Sequence, residues 1–151
     1  MTADEARSRT QRKADTLAML TAPAADVWVA SASEAGAYLV PLSLAWLDER
    51  VVLAVDASSR TARNIVDRGT ARLGAGHTRD VVMIDAVLER AVPAAEAGAI
   101  ADGYAAQSDW DPRQAPGDYH YLVLRPTRIL AWRESNELAG RLLMRDGAWL
   151  A

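Results

Sequence analysis

Ser59-Arg60-Thr61-Ala62-Arg63-Asn64-Ile65 places hydroxyls and guanidiniums at the start of a short helical pattern, just after the apolar run Val51 to Val55. A strand that ends in serines and then opens a helix leaves backbone N–H groups unpaired. The positive end of the helix dipole lies at the same point, so the spot favours an anion. Arginine forks add two-point contacts to phosphate oxygens. The chemistry predicted is a phosphate grip for a nucleotide-like cofactor, with a flavin the favoured choice. The same residues also suit a Ser-capped surface helix with solvated arginines.

Other chemistry is less well supported. His77 and His120 are the only histidines, and they lack metal-ligand spacing. His77 follows Gly74-Ala75-Gly76, where it reads as a loop residue or a cofactor contact. That glycine pair lacks the third Gly or the Gly-Lys of a nucleotide-binding fingerprint. Ser58 and Ser59 lack the setting of a hydrolase nucleophile. The absence of cysteine excludes disulfides and thiol catalysis. Lys13 is the only lysine among 17 basic residues, so Schiff-base chemistry would fall to it alone. Asp109 and Asp111 read as turn formers. Trp110 between them either covers a site or anchors its loop.

Composition sets the frame. The chain has 151 residues, 50% hydrophobic and 25% charged, which suits one domain with a core, taken as residues 1–151. A net charge of −3 argues against nucleic-acid binding. No apolar run reaches the ~18 residues of a membrane span. Arg7 to Lys13 followed by Leu17 to Ala25 faintly resembles a signal peptide, but Asp4, Glu5, Asp15, Thr21 and Pro23 interrupt it. A cytoplasmic protein is expected.

The elements that must position these residues follow from periodicity. Residues 3–20 read as an amphipathic helix. Asp26 to Ser31, Tyr38 to Leu47 and Arg50 to Asp56 read as an antiparallel meander, with Pro41 marking an edge or a bulge. A helix over 60–68 ends at Gly69. Strands follow at 71–76 and 81–92, then an alanine-rich helix over 94–107 and a loop over 110–118. Tyr119 to Arg125 and Thr127 to Arg133 read as two strands broken at Pro126. Residues 137–150 read as an irregular tail, and the stretch 134–151 as a segment packing on the barrel or on a dimer partner. Trp28 and Trp46 are assigned to the core. The fold class is mainly β, a small barrel with peripheral helices, because closing the sheet removes exposed edges.

The order of these motifs resembles the pyridoxamine 5′-phosphate oxidase-like, FMN-binding split-barrel family. The matching parts are Val27 to Ser31, Val40-Pro41-Leu42, Ser59 to Ile65, Asp80 to Arg90, and Arg125 to Arg133. The resemblance covers residues 15–145 and implies that Ser59, Arg60 and Thr61, with Arg63 and Asn64, hold a cofactor phosphate. Many members carry Lys where this chain has Thr61. It further implies that the flavin ring lies against the strand around Val40, Pro41, Leu42 and Ser43. Members are usually homodimers with cofactor sites at the interface, where Trp132, with Arg133 or Arg141, would line the partner's site. The cofactor implied is FMN or, alternatively, the deazaflavin coenzyme F-420, whose acidic tail would use Arg60, Arg63, Arg68, Arg72 and Arg79 as a basic groove.

The function so implied is a flavin-dependent oxidoreductase. It would transfer hydride to or from a small organic substrate, with Trp132, Trp110 and Tyr104 shaping the substrate face and no side chain required as acid or base. Two alternatives stand beside it: a non-enzymatic flavin- or haem-binding module, and a dimeric scaffold that has lost its cofactor.

Overall fold

The computed structural model describes residues 5–151. Three strands open the sheet: β1 (Asp26–Ser33), β2 (Gly36–Leu47) and β3 (Arg50–Asp56). Helix α2 (Arg60–Arg68) follows α1 (Arg9–Leu20), and then come β4 (Thr70–Ala75) and β5 (Val81–Pro93). Helix α3 (Ala99–Ser108) leads to β6 (Tyr119–Trp132), β7 (Leu142–Arg145) and β8 (Ala148–Trp149). The strand order is β3-β2-β1-β4-β5-β6, and β3 also pairs with β6, so six antiparallel strands close into a barrel. The expected β-barrel with peripheral helices is therefore the fold.

The barrel core follows from alternation along the strands. Val27 and Val29 of β1, Leu53 and Val55 of β3, Ile84 of β5, and Leu122 and Leu124 of β6 point inward and are buried. Helix α2 plugs this interior with Ala62 and the fully buried Ile65; burying an isoleucine contributes about 1.5–3 kcal/mol. A second cluster lies outside the barrel. There α3 packs Ala101 and Tyr104 onto Ala45, Val52, Ala54, Tyr121 and Val123.

Several expectations are corrected. Helix α1 starts at Arg9, not at residue 3. Residues 3 and 4 lie outside the described residues, and Ser8 caps the helix, its Oγ accepting the Gln11 N–H at 3.1 Å. Pro126 does not break the last long strand. β6 runs through it, and the register shift opposite Asp85 and Ala86 leaves Thr127 as the extra residue of a bulge. The helix expected over 94–107 is a 3-10 turn (Ala94–Glu96) and then α3, separated at Gly98, whose φ of 54° breaks the helical run. The tail is not irregular. β7 and β8 form a hairpin across Asp146-Gly147, both at positive φ, and Leu143 and Met144 join the barrel core. Trp28 is not a core residue: it is 54% exposed, on the outward face of β1. Trp46 is half-buried against the core.

Candidate functional site

The barrel is split along one seam. Residues 36–43 of β2 pair with the whole of β1, from Asp26↔Ser43 to Ser33↔Gly36. β2 pairs with β3 only from Leu44↔Leu53 to Leu47↔Arg50. Residues 36–43 of β2 thus present a second edge that β3 does not cover. The Leu44 N–H donates to Ala25 O at 2.9 Å, on the β1 side, and the Trp46 N–H donates to Gln107 Oε1 at 2.8 Å. By alternation, the N–H groups of Leu39 and Ser43 and the carbonyls of Leu39, Pro41 and Ser43 face the open seam. Pro41 stands where its missing N–H removes nothing from the ladder, the edge position expected for it.

A cleft of about 410 Å³ occupies this seam. One wall is β2, from Tyr38 to Ser43. The end of β3, Ala54 to Asp56, and the first turn of α2, Ser59 to Thr61, form one end. Tyr104, Trp110 and Tyr119 form the opposite wall. Of the residues expected to hold a cofactor, Val40, Pro41, Leu42, Ser59, Arg60 and Thr61 come together here.

The α2 end of the cleft is built locally. Ser59 caps α2, with its Oγ accepting the Ala62 N–H at 3.1 Å, and Gly69 closes the helix in the left-handed region at φ 74°. The Arg60 guanidinium lies over the Tyr38 ring, 5.0 Å from its centroid. Thr61 is 4% exposed and lines the cleft, and no other described residue hydrogen-bonds its hydroxyl. Asp56 folds back on the turn that leads into the helix: its Oδ1 accepts the Ser58 N–H at 2.9 Å and the Ser58 hydroxyl at 2.6 Å. These bonds hold the Asp56 carboxyl below its ordinary pKa. A Cβ on Gly117 would lie 2.9 Å from Asp56 Oδ2, and the Ala57 N–H donates to Asp118 O, so the loop before β6 closes tightly on this turn.

The aromatic wall is rigid. Trp110 meets Tyr104 edge-on at 6.1 Å and Tyr119 edge-on at 5.5 Å, and Tyr104 meets Tyr121 at 5.4 Å. Ser108 Oγ donates to Tyr104 O and lies 3.3 Å from Trp110 O. Asp109 takes the left-handed cap of α3 at φ 60°. Asp111 accepts the Arg113 N–H, and Arg113 bridges Asp111 and Asp102, each at 2.8 Å. Both aspartates are turn formers. Burial pushes the Tyr104 hydroxyl up to about 12, so it stays protonated.

Other expected residues lie elsewhere. Arg63 is exposed on α2, away from the cleft lining. Asn64 is buried, its Nδ2 donating to Ser31 Oγ at 3.2 Å, which ties α2 to β1. Trp132 pairs with Val81 at the far end of β6 from Tyr119 and does not line this cleft. The five arginines expected as a basic groove do not gather. Arg72 holds Asp85 at 2.6 Å on the outer face, and Arg79 holds Glu134 at 3.1 Å. Arg133 lies 3.3 Å from Asp80, and Arg141 donates to Leu138 O. His77 lines a separate, shallow apolar groove with Trp28, Leu39 and Met83. The sequence reading missed Tyr38, Asp56 and Tyr119. Tyr38 was findable, since it shares a strand face with Val40 and Leu42. Asp56 was findable as the first residue of an Asp-x-Ser turn ahead of a helix.

The ligand chemistry fits a flavin-type group. An open strand edge offers donors and acceptors to a planar heterocycle, aromatic rings offer it a stacking face, and a helix N-terminus with Arg60 and the Thr61 hydroxyl offers a phosphate contact.

No protein-family model matches the chain, and no curated protein matches it. Solved structures do. A protein named F420 reductase superposes with a TM-score of 0.62 at 18% identity, over 74% of this chain and 93% of that one. A putative pyridoxamine 5′-phosphate oxidase from Listeria innocua gives 0.62 at 10% identity, over 81% and 98%. A heme binding protein from Mycobacterium smegmatis gives 0.59 at 20% identity, over 90% of this chain but 57% of that one. The shared feature is the fold, a split barrel of the pyridoxamine 5′-phosphate oxidase-like type.

Proposed function

We propose that the chain binds a flavin-type cofactor, FMN or alternatively the deazaflavin coenzyme F-420, in the cleft between β2 and β3, and works as an oxidoreductase on a small organic substrate. The observation that carries this reading is the meeting of three features in one seam: an uncovered strand edge, the α2 N-terminus with Arg60, and a fixed aromatic wall. When bound, the cofactor would carry the hydride. Ser59, Arg60 and Thr61 would hold its phosphate, and the backbone of Leu39 to Ser43 would orient its ring. Trp110, Tyr104 and Tyr119 would exclude water and shape the substrate side. Tyr104 stays neutral, so it adds no charge to the substrate face.

The working form proposed is a homodimer. Trp28, Leu39 and Met83 are 54%, 59% and 39% exposed on the outward face of β1, β2 and β5. Trp132 lies on the same sheet, opposite Val81. In such a dimer we propose that Trp132 lines the site of the other chain. Among the described residues no helix is long and apolar enough to cross a membrane, and we place the activity in the cytoplasm.

The experiment is a tryptophan-fluorescence titration of the purified protein with FMN and with the deazaflavin. Trp110 in the cleft wall makes saturable quenching the expected result. A carrier without turnover, whether of flavin or of haem as the mycobacterial neighbour's name suggests, would bind but fail to pass electrons to any added acceptor. Absence of quenching by both ligands would reject the cofactor reading.

A further inference from the structure

We infer that Asp56 sets the charge class of the cleft's anion end, so that it takes a singly charged phosphodiester in preference to a doubly charged phosphomonoester. The inference rests on the cofactor reading above and adds to it which phosphate chemistry this chain selects.

The argument is a count of charges along the lining. Among the described residues, Arg60 is the one cation that lines the cleft and Asp56 the one carboxylate. The residue after Arg60 is Thr61, a buried neutral hydroxyl that offers a hydrogen bond but no charge. The side chains at this end therefore sum to zero, and the α2 dipole adds about half a positive charge. A phosphodiester carries one negative charge at every pH of interest. A phosphomonoester loses its second proton near pH ~6 and then carries close to two. The first charge is met by Arg60 and the helix N-terminus. The second would have to shed its water with no further cation to meet it and with the Asp56 carboxylate in the same lining, so its desolvation is not repaid.

The turn holds Asp56 in this position. Its Oδ1 is fixed by both the N–H and the hydroxyl of Ser58, and its Oδ2 packs against Gly117. The charged groups around it are few. Arg60 stands on α2, and Asp118 and His120 stand at the start of β6, with His120 Nε2 3.2 Å from Asp118 Oδ1. Tyr38 and Tyr119 are the remaining titratable groups of this end.

The test titrates the full chain with riboflavin, FMN and the methyl ester of FMN, whose phosphate is a diester. Flavin fluorescence is the readout, at about pH 5 and about pH 8, on either side of the second phosphate ionisation. The methyl ester is expected to bind about tenfold more tightly than FMN at the higher pH, with the two converging at the lower pH. Asp56→Asn keeps the Oδ1 acceptor of the turn and removes the charge. It is expected to bring FMN up to the affinity of the ester at the higher pH and to change the ester far less. FMN binding as tightly as its ester at the higher pH, or an unchanged ratio in the Asp56→Asn variant, overturns the charge-class inference while leaving the cofactor site standing. Failure of all three flavins to bind overturns both.

Discussion

The Arg60 guanidinium sits over the Tyr38 ring, 5.0 Å from its centroid, at the mouth of the seam between β2 and β3. The contact joins the first residue of α2 to the uncovered edge strand. It holds a flexible cation in a ready position without a carboxylate partner to neutralise it. Arg60→Ala should therefore weaken a phosphate-bearing flavin by about 10- to 100-fold, the range for a lost charge-assisted contact, with Tm unchanged. Riboflavin affinity should stay level. Calorimetric titration of both ligands checks this; equal losses for both would place Arg60 on the ring and not on the phosphate.

Trp110 is positioned by Tyr104, Tyr119 and Ser108 rather than by burial alone. Trp110→Leu should reduce binding of any flavin, with or without a phosphate, by about 1 kcal/mol, and Trp110→Phe by less. Fluorescence anisotropy of the flavin measures the difference. If the Leu variant binds as the parent does, Trp110 anchors its loop and forms no wall for the ligand.

Glu137 joins the two ends of the chain. Its carboxylate accepts both Nε and Nη2 of Arg7, at 2.9 and 2.8 Å, together with the backbone N–H of Arg7 and of Arg133. Beneath it, buried Arg12 donates to the carbonyls of Ala131, Glu137 and Ala139. The Arg7 bonds hold the Glu137 carboxyl at about 2, below its ordinary 4.5. A folded pKa below the unfolded one gives stability that is full above the ordinary value and disappears as pH falls toward the folded value. The contribution is about 3 kcal/mol, and it is lost between pH ~5 and pH ~2. Glu137→Gln should lower stability by about 3 kcal/mol at neutral pH because it leaves buried guanidinium charge unmatched. Urea melts across this pH range should show the gap between parent and variant closing as the acid limit is approached; a constant gap would contradict the assignment.

Trp28 and Leu39 stand out from the sheet on the proposed dimer face. Placing an aspartate at both positions should convert a dimer to monomer in sedimentation, with the far-ultraviolet circular dichroism unchanged. It should also weaken cofactor binding, if Trp132 completes the site of the second copy. A parent protein that sediments as a monomer at micromolar concentration would refute the homodimer.

How much could be read in advance depended on how local each cause was. The meander β1–β2–β3 and helix α2 are written in alternation, in the Ser59 cap and in Gly69, all of which act within a few residues. Pro126 misled because proline signals a break, whereas here a bulge at Thr127 lets β6 continue past it. The Asp146-Gly147 pair was a legible hairpin signal passed over because its strands are only four and two residues long. Trp28 misled because size alone suggests a core residue, while its parity on β1 points it outward, opposite to Val27 and Val29.

The sequence by itself determined the barrel class, the strand order through α2 and the Ser59-capped turn that opens it, because strand period and helix capping are properties of neighbouring residues. Only the tertiary structure decided which parts of those elements share a space. β2 parts from β3 at Leu44, Trp110 comes to face β2 across the opening, and Asp56 stands as the one carboxylate of the cleft lining. Arg12, whose charge by itself would keep it in water, is buried because three carbonyls from the far end of the chain meet it there. Such meetings depend on sheet register and barrel closure, which join residues more than a hundred positions apart and leave no periodic mark in the sequence.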